Sequence, residues 1–190
     1  MHKVLVIDGH PDRGPALCHA LADAYVEGAR EGGRQTRLIR LAEASFPVLR
    51  SAAAFAAAPN EPDIVKARED VMWADHLVFV FPLWLGSAPA YVRAFLEQIA
   101  RGGFVADIGP RGWRPGLKGK SARLIVTMGM PALAYRLMFG AHGVKSLEAS
   151  VLGFAGVRPV RASLLGMIEG APEMQRRRIA RVRALGAAGR

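Results

Sequence analysis

The 190-residue sequence has one cysteine, Cys18, which excludes an intrachain disulfide and any cysteine-cluster metal site. The five histidines do not fall at metal-ligand spacing. No apolar run reaches the length that spans a bilayer. The apolar run near the N-terminus ends too soon, at Asp8, for a signal peptide. We therefore expect a soluble, cytoplasmic protein without a bound metal.

Acidic residues are scarce: 16 Asp and Glu stand against 26 Lys and Arg, and the formal net charge is +10. Such a balance can indicate nucleic-acid binding. The densest basic cluster, Arg176–Arg178 with Arg181 and Arg183, is not interleaved with aromatic residues as stacking platforms are. We interpret it as the solvated face of a terminal helix and expect no nucleic-acid partner. Attraction of phosphate-bearing ligands is a third interpretation.

Hydrophobic residues make up 51% of the chain, and strand patterns alternate with helix patterns along it. The predicted strands are Lys3–Asp8, Gln35–Leu41, His76–Phe81, Ala122–Met128 and Val157–Leu165. The predicted helices are Ala16–Glu31, Asp63 (as N-cap) to Trp73, Ala90–Ala100, Pro131–Gly140, Val144–Phe154 and Pro172–Ala188. We predict that residues 42–62 form an irregular segment on the surface and that residues 102–119 form a long glycine-rich loop.

Short crossovers between strands imply right-handed βαβ units and a parallel sheet. Five parallel strands in one domain, residues 1–190, suit an α/β flavodoxin-like three-layer sandwich with strand order 2-1-3-4-5. In that order the loops after the first and third strands meet at the carboxyl edge of the sheet, where planar cofactors bind.

The loop after the first strand, Gly9–Pro15, leads into a helix start. The first turn of a helix presents free N–H groups and the positive end of the dipole, which suit a phosphate. Gly14 allows close approach, and Arg13 and His10 can add charge-assisted hydrogen bonds. Many loops of this kind bind nothing, and His10 can simply bond local backbone.

The loop after the third strand follows an apolar run that is typical of a strand buried on both faces. Trp84 and Leu85 can lie against the face of a planar cofactor. The conformational freedom of Gly86 allows backbone amides of the loop to reach the polar edge of that cofactor. The alternative is an ordinary hydrophobic loop, bounded by Pro82 and Pro89, that covers the core.

The loop after the fourth strand supplies a hydroxyl at Thr127 and close backbone approach at Gly129. Tyr135 and His142 follow it, and both side-chain types suit proton transfer. A lone tyrosine or histidine is more often structural, so their interest comes from following this loop. The sequence shows no Ser–His–Asp or Cys–His set and no glycosidase-type carboxylate pair.

Three segments resemble the NAD(P)H:quinone oxidoreductase family of flavodoxin-2 type flavoproteins. Val4–Ile7 followed by His10-Pro11 resembles the opening of that family. Phe81–Ala90 is similar to its most recognisable motif, and Thr127–Met130 resembles its third flavin loop. The segments occur in order from the first strand to the fifth, so the resemblance covers most of the chain.

The resemblance implies bound FMN, with FAD as the alternative, and ping-pong hydride transfer from NAD(P)H through the flavin to a quinone-like acceptor. It also implies a homodimer whose partner completes each site. Tyr135 and His142 fall near the family's proton-relay tyrosine and histidine, with the spacing to His142 off by about one residue, and are predicted to be catalytic. The residues implied in cofactor binding are His10, Arg13, Ala16, Leu17, Cys18, Pro82, Leu83, Trp84, Leu85, Gly86, Thr127, Met128, Gly129 and Met130.

The sequence departs from the family in its first loop, where Asp12–Cys18 carries no hydroxyl or amide side chain. Phosphate contact must then come from Arg13 and backbone N–H groups, and Asp12 would repel an anion if it pointed inward. We interpret the Cys18 thiol as a small buried hydrophobe. The Gly102–Gly119 loop lacks the tyrosines that shape the family's quinone pocket, which leaves the acceptor open.

Two features of the sequence bear on the choice between NADPH and NADH and between FMN and FAD. The abundant arginines favour NADPH over NADH, and the short region after the fifth strand offers no clear adenine platform, which favours FMN. An alternative function is a regulatory subunit of a potassium-efflux type membrane transporter with little turnover of its own. A nucleic-acid-binding module ranks last, because the sequence has no helix-turn-helix or RNA-recognition pattern.

Overall fold

A computed structural model of the chain describes residues 2–110 and 112–189. Its strands are β1 (Lys3–Asp8), β2 (Gln35–Arg40), β3 (His76–Pro82), β4 (Ala106–Gly109), β5 (Gly112–Pro115), β6 (Ser121–Thr127) and β7 (Val160–Leu165). Its helices are α1 (Leu17–Glu31), α2 (Ala52–Ala56), α3 (Pro62–Trp73), α4 (Ala90–Ala100), α5 (Ala132–Met138), α6 (His142–Ser146) and α7 (Pro172–Ala188). A 3₁₀ turn, Arg101–Gly103, follows α4, and a π-helical segment, Leu147–Gly153, continues α6.

Five of the strands form one parallel sheet in the order β2-β1-β3-β6-β7. Because β6 and β7 are the fourth and fifth predicted strands, this order confirms the predicted 2-1-3-4-5. The register places Asp8 beside Arg40 and Val80, and Pro82 beside Thr127. The loops after β1, β3 and β6 therefore leave the same edge of the sheet from neighbouring strands.

Alternate residues of the central strands pack on opposite faces of the sheet, as the strand period of two requires. Val4 and Val6 face α1 and α7, whereas Leu5 and Ile7 face the side covered by α3 to α6. Gly28 of α1 packs so closely on α7 that a Cβ there would overlap the carbonyl of Arg183. The result is the predicted three-layer sandwich.

The predicted N-cap of α3 is wrong. The helix begins at Pro62 after Glu61, because proline suits the first turn of a helix, where no N–H is needed. The Asp63 carboxylate instead accepts the N–H of Ser45 at 2.8 Å. It thereby ties the 42–62 segment to α3.

Two segments that read as irregular contain secondary structure. The 42–62 segment holds α2, whose N-cap Ser51 accepts the N–H of Ala54 at 3.1 Å. The 102–119 loop holds an antiparallel hairpin of β4 and β5. The last strand begins at Val160 rather than at Val157, because the Val157 N–H bonds back to the Leu152 carbonyl. In the described part of the chain no helix is long and apolar enough to cross a membrane.

Candidate functional site

A cavity of about 430 Å³ opens between the β3 loop (residues 83–89), the β6 loop (residues 128–131) and α5. This volume lies within the range of small-molecule sites. The cavity is lined by Leu83, Leu85, Gly86, Met128, Gly129, Met130, Tyr135 and Phe139. The first seven of these are residues that the sequence predicted, whereas Phe139 was missed. Its only signal is that it closes an apolar run, Leu137–Phe139, before Gly140.

The β3 loop is built around a tight turn, Trp84–Ser87. The two end residues exchange backbone hydrogen bonds of 2.9 and 3.0 Å. Leu85 and Gly86 between them have φ of +48° and +75°, which defines a type I′ turn. A leucine in this left-handed region costs about 1 kcal/mol or more, and its side chain is fully exposed. The turn therefore places Leu85 at the cavity, and its backbone is strained in that position.

Tyr135 is hydrogen-bonded to this turn. Its side chain is buried, and its hydroxyl donates to the Gly86 carbonyl at 2.9 Å. Burial raises the pKa of Tyr135, and the nearby main chain of Val144 and Gly143 offsets part of the rise. Tyr135 thus lines the cavity, and its hydroxyl proton is used in the hydrogen bond to the β3 loop.

His142 begins α6 and is exposed. Its ring lies against Gly140, and it is not among the described residues that line the cavity. The structure therefore brings Tyr135 to the cavity and leaves His142 outside its wall. The catalytic roles of Tyr135 and His142 stay predictions.

Thr127 ties three elements together at the end of β6. Its hydroxyl lies 3.3 Å from the Cys18 thiol of α1, and its carbonyl accepts the Leu83 N–H at 2.7 Å. Thr127 is buried and does not line the cavity, so its contact with a cofactor stays a prediction. Burial raises the pKa of Cys18 to about 12, which keeps the side chain a neutral thiol.

The backbone of the β6 loop leaves room above Gly129. A Cβ added there meets within 4 Å only the Glu169 carboxylate, at 3.9 Å. The glycine therefore opens space in the cavity and is not required by packing or by a positive φ.

The β1 loop (residues 9–16) lies near the β3 loop, because the ring centroid of His10 is 6.1 Å from that of Trp84. It delivers α1 with Ala16 as N-cap, and no side chain caps the helix. The first-turn N–H groups, including those of Leu17 and Cys18, thus lack a capping side chain. The Nε of Arg13 donates to the Ala42 carbonyl after β2 at 2.9 Å, and the contact of Arg13 with a phosphate stays a prediction.

An ion-pair cluster beneath the β1 loop was missed in the sequence. It joins Asp8, His19, Arg40 and Asp23 through contacts of 2.6 to 2.9 Å. The signal that could have found it is an aspartate at the end of an otherwise apolar strand. A carboxylate in that position needs charged or hydrogen-bonded partners from neighbouring elements.

The apolar cavity is bounded by the β6 loop, and Thr127, the residue before that loop, contacts Cys18 in the first turn of α1, which has no capping side chain. An apolar cavity and an uncapped helix start match the two chemical ends of a flavin nucleotide. The residues present therefore fit such a cofactor. Fold and site together define a flavodoxin-like α/β protein with its site at the carboxyl edge of the sheet. The chain belongs to the Flavodoxin_2 family, described as having a flavodoxin-like fold, whose model matches residues 2–187.

Named relatives agree with this family. The chain is 29% identical over 177 residues to the ribosyldihydronicotinamide dehydrogenase-like protein traD of Penicillium crustosum, covering 79% of this chain and 64% of that one. It is 26% identical over 147 residues to the FMN-dependent NAD(P)H:quinone oxidoreductase 1 of Pseudomonas aeruginosa, covering 68% and 69%. The chain thus spans about two thirds of the length of these relatives.

Two further similarities are of different kinds. The chain is 33% identical over 72 residues, 37% of its length, to the glutathione-regulated potassium-efflux system ancillary protein KefG of Cronobacter sakazakii. Among solved structures, a putative quinone reductase from Klebsiella pneumoniae superposes with a TM-score of 0.79 at 22% identity, covering 97% of this chain and 83% of that one. The structural likeness supports the fold.

Proposed function

We propose that this chain is a flavin-dependent NAD(P)H oxidoreductase that reduces quinone-like acceptors, with FMN as its cofactor. The observation that carries the proposal is the apolar cavity between the β3 and β6 loops, which the contact of Thr127 with Cys18 connects to the uncapped first turn of α1. The FMN-dependent relative from Pseudomonas aeruginosa supports FMN rather than FAD.

A bound flavin supplies the hydride-accepting and hydride-donating chemistry, and the chain supplies binding, orientation and electrostatics. The first-turn N–H groups of α1 bind the phosphate. Leu83, Leu85 and Met128 provide apolar contact with the ring and exclude water from it. Gly129 leaves the ring room beside the backbone. Tyr135 keeps the β3 loop in place and is the candidate for stabilising charge on the reduced ring.

We also propose that the protein works as a homodimer. Beside the cavity, α5 and the residue after it expose a strip of large apolar side chains: Leu133, Leu137, Met138 and Phe139. Contiguous apolar patches of this kind mark interaction surfaces on water-exposed proteins. A second copy seated on the strip would cover the open side of each cavity.

A regulatory role at a potassium-efflux transporter is the second candidate, supported by the partial similarity to KefG. The two functions differ in turnover. An enzyme reduces a quinone at the expense of NAD(P)H with bound flavin, whereas a regulatory subunit binds flavin with negligible turnover.

The deciding experiment is a flavin titration followed by a turnover assay. The purified protein is stripped of flavin and titrated with FMN and, separately, with FAD, by quenching of flavin fluorescence. We expect FMN to bind at micromolar concentration or tighter and the loaded protein to oxidise NADPH with a soluble benzoquinone. Failure to bind either flavin contradicts the proposal, and binding without turnover supports the regulatory role.

A further inference from the structure

The cluster beneath the β1 loop is anchored on Asp8, whose side chain is fully buried at the end of β1. Its Oδ2 lies 2.6 Å from His19 Nδ1 and 2.9 Å from an Arg40 guanidinium nitrogen. Its Oδ1 accepts the backbone N–H of His10 at 3.2 Å. The other arm of Arg40 pairs with Asp23 at 2.6 Å. A buried carboxylate held from three directions is a fixed point at the sheet edge.

Both ring nitrogens of His19 face acceptors. Nδ1 faces the Asp8 carboxylate, and Nε2 lies 3.0 Å from the main-chain carbonyl oxygen of Asp12. A neutral imidazole carries one N–H, so only the imidazolium makes both bonds. Burial by itself lowers the pKa of His19, but the hydrogen bond and charge of Asp8 and the Asp12 carbonyl outweigh burial and the repulsion from Arg40, and the pKa is raised.

Asp12 is the residue around which the β1 loop folds. Its N–H lies 3.3 Å from His10 Nδ1, its carboxylate accepts the Gly14 N–H at 3.0 Å, and its carbonyl faces His19. The stretch from Gly9 to Cys18 has no hydroxyl or amide side chain that could hold the loop instead. His19 therefore links the turn around Asp12 to the buried carboxylate of Asp8.

We propose that His19, as an imidazolium, is the positioning residue that holds the β1 loop in its cofactor-binding shape, so that flavin affinity falls when His19 loses its proton. This inference rests on the proposed flavin site. Loss of the proton breaks one of the two bonds, to Asp8 or to Asp12, and His19 then no longer links the turn around Asp12 to the buried carboxylate. It also removes a positive charge from the phosphate end of the site.

The direction of the pH effect follows from linkage. When the pKa of a histidine is higher in the folded state than in the unfolded state, its interactions stabilise the folded state fully at a pH below the unfolded-state pKa. This stabilisation is lost as the pH rises through the folded-state pKa. The titratable or charged groups around His19 are Asp8 of β1, Arg40 of β2, Asp23 and Cys18 of α1, His10, Asp12 and Arg13 of the β1 loop, and Glu43 after β2. The carboxylates outnumber the arginines, which favours the charged ring.

The test measures FMN affinity of the flavin-free protein by fluorescence quenching from about pH 5.5 to about pH 9, the range in which a histidine titrates. For the wild type we expect the Kd to rise roughly tenfold across this range, as for loss of one charge-assisted hydrogen bond. His19→Gln, which cannot titrate, is expected to bind weakly at low pH already and to show a flatter profile.

A matched control is His2→Gln, which removes an exposed histidine that pairs with Asp75 at 3.2 Å, away from the β1 loop. This variant is expected to keep the pH profile of the wild type. A His19→Gln profile that superposes on the wild type overturns the inference while leaving the proposed function standing.

A second measurement needs neither flavin nor a variant. In the flavin-free wild type, the NMR shift of the His19 ring is expected to titrate above the ordinary value of 6.5, and exchange of the Gly14 amide to accelerate through the same pH. Titration at or below the ordinary value overturns the inference. Failure to bind FMN at any pH contradicts the proposed function instead, and the NMR result still decides the role of His19 in the loop.

Discussion

Leu85 combines a strained backbone with a fully exposed apolar side chain, so stability does not explain why a leucine stands there. We expect Leu85→Gly to raise the free energy of unfolding of the flavin-free protein by about 0.5 kcal/mol, because relief of the positive φ exceeds the added chain entropy. The same change is expected to weaken flavin binding several-fold, roughly 1 kcal/mol of lost apolar contact. Urea unfolding and FMN titration measure the two effects.

Leu85→Ala is the matched control, because alanine removes the side chain but keeps a Cβ at the positive φ. It is expected to lose flavin affinity like Leu85→Gly without gaining stability. If the glycine variant is the less stable of the two, the strain interpretation of the Trp84–Ser87 turn is wrong.

Tyr135 lines the cavity and also supports the β3 loop, and the phenylalanine variant separates the two roles. Tyr135→Phe leaves the Gly86 carbonyl without its donor, so we expect the free energy of unfolding to fall by about 1 kcal/mol. If the hydroxyl also serves the proton relay, reduction of bound flavin by NADPH slows in a stopped-flow experiment with little loss of flavin.

Tyr91→Phe provides the comparison for Tyr135→Phe. The Tyr91 hydroxyl donates to the Ala44 carbonyl at 2.6 Å, and Tyr91 does not line the cavity. This variant is expected to lose similar stability and to keep the reduction rate of the wild type. Equal reduction rates in both variants would remove Tyr135 from the proton relay and leave it a support of the loop.

At the scale of elements, the β6 loop offers a way to fill the cavity without disturbing the fold. Gly129 has a permissive φ and open space around it, so Gly129→Val is expected to fold with a stability within about 0.5 kcal/mol of the wild type. The added side chain occupies ring space, and we expect FMN affinity to fall at least about tenfold, or roughly 1.4 kcal/mol.

Gly109→Val is matched to it, because a Cβ at Gly109 also meets a single carboxylate oxygen, of Asp107, at 3.9 Å, on β4 and outside the cavity. Fluorescence titration of both variants decides the matter. Full FMN affinity in Gly129→Val would contradict the assignment of the β6 loop to the cofactor.

The elements that the sequence predicted closely are those with local signals. β1, α4 and α7 have the predicted bounds, since apolar periodicity and flanking breakers lie within each element. The β4–β5 hairpin was not predicted, because Gly109 and Gly112 bound a turn whose strands are too short for periodicity to register.

The wall of the cavity was largely predicted from motifs in the β3 and β6 loops, because each motif is a continuous stretch of chain. The cluster of Asp8, His19 and Arg40 was not, because parallel pairing of β1 with β2 brings together residues that lie 32 positions apart. The left-handed backbone of Leu85 was also missed, since leucine carries no signal for a positive φ.

For the whole molecule, the two prominent surface features are the net charge of +10 and the apolar strip on α5. The charge keeps copies apart at low ionic strength, so an apolar contact between them strengthens with salt. We therefore expect the proposed homodimer to form through this strip and to be more stable at high ionic strength than at low ionic strength.

Met138 is 76% exposed in the middle of this strip, which makes it the residue with which to test the dimer. Met138→Glu buries an unpaired charge in any interface formed there, so we expect the dimer dissociation constant to rise at least about a hundredfold, or roughly 3 kcal/mol. Light scattering after size-exclusion chromatography measures the mass of the particle.

Met72→Glu is the matched control. It changes a 52% exposed methionine on α3 and is expected to leave the dimer intact. A wild type that stays monomeric at about 100 μM, far above the dissociation constants of specific dimers, would show that α5 does not serve self-association.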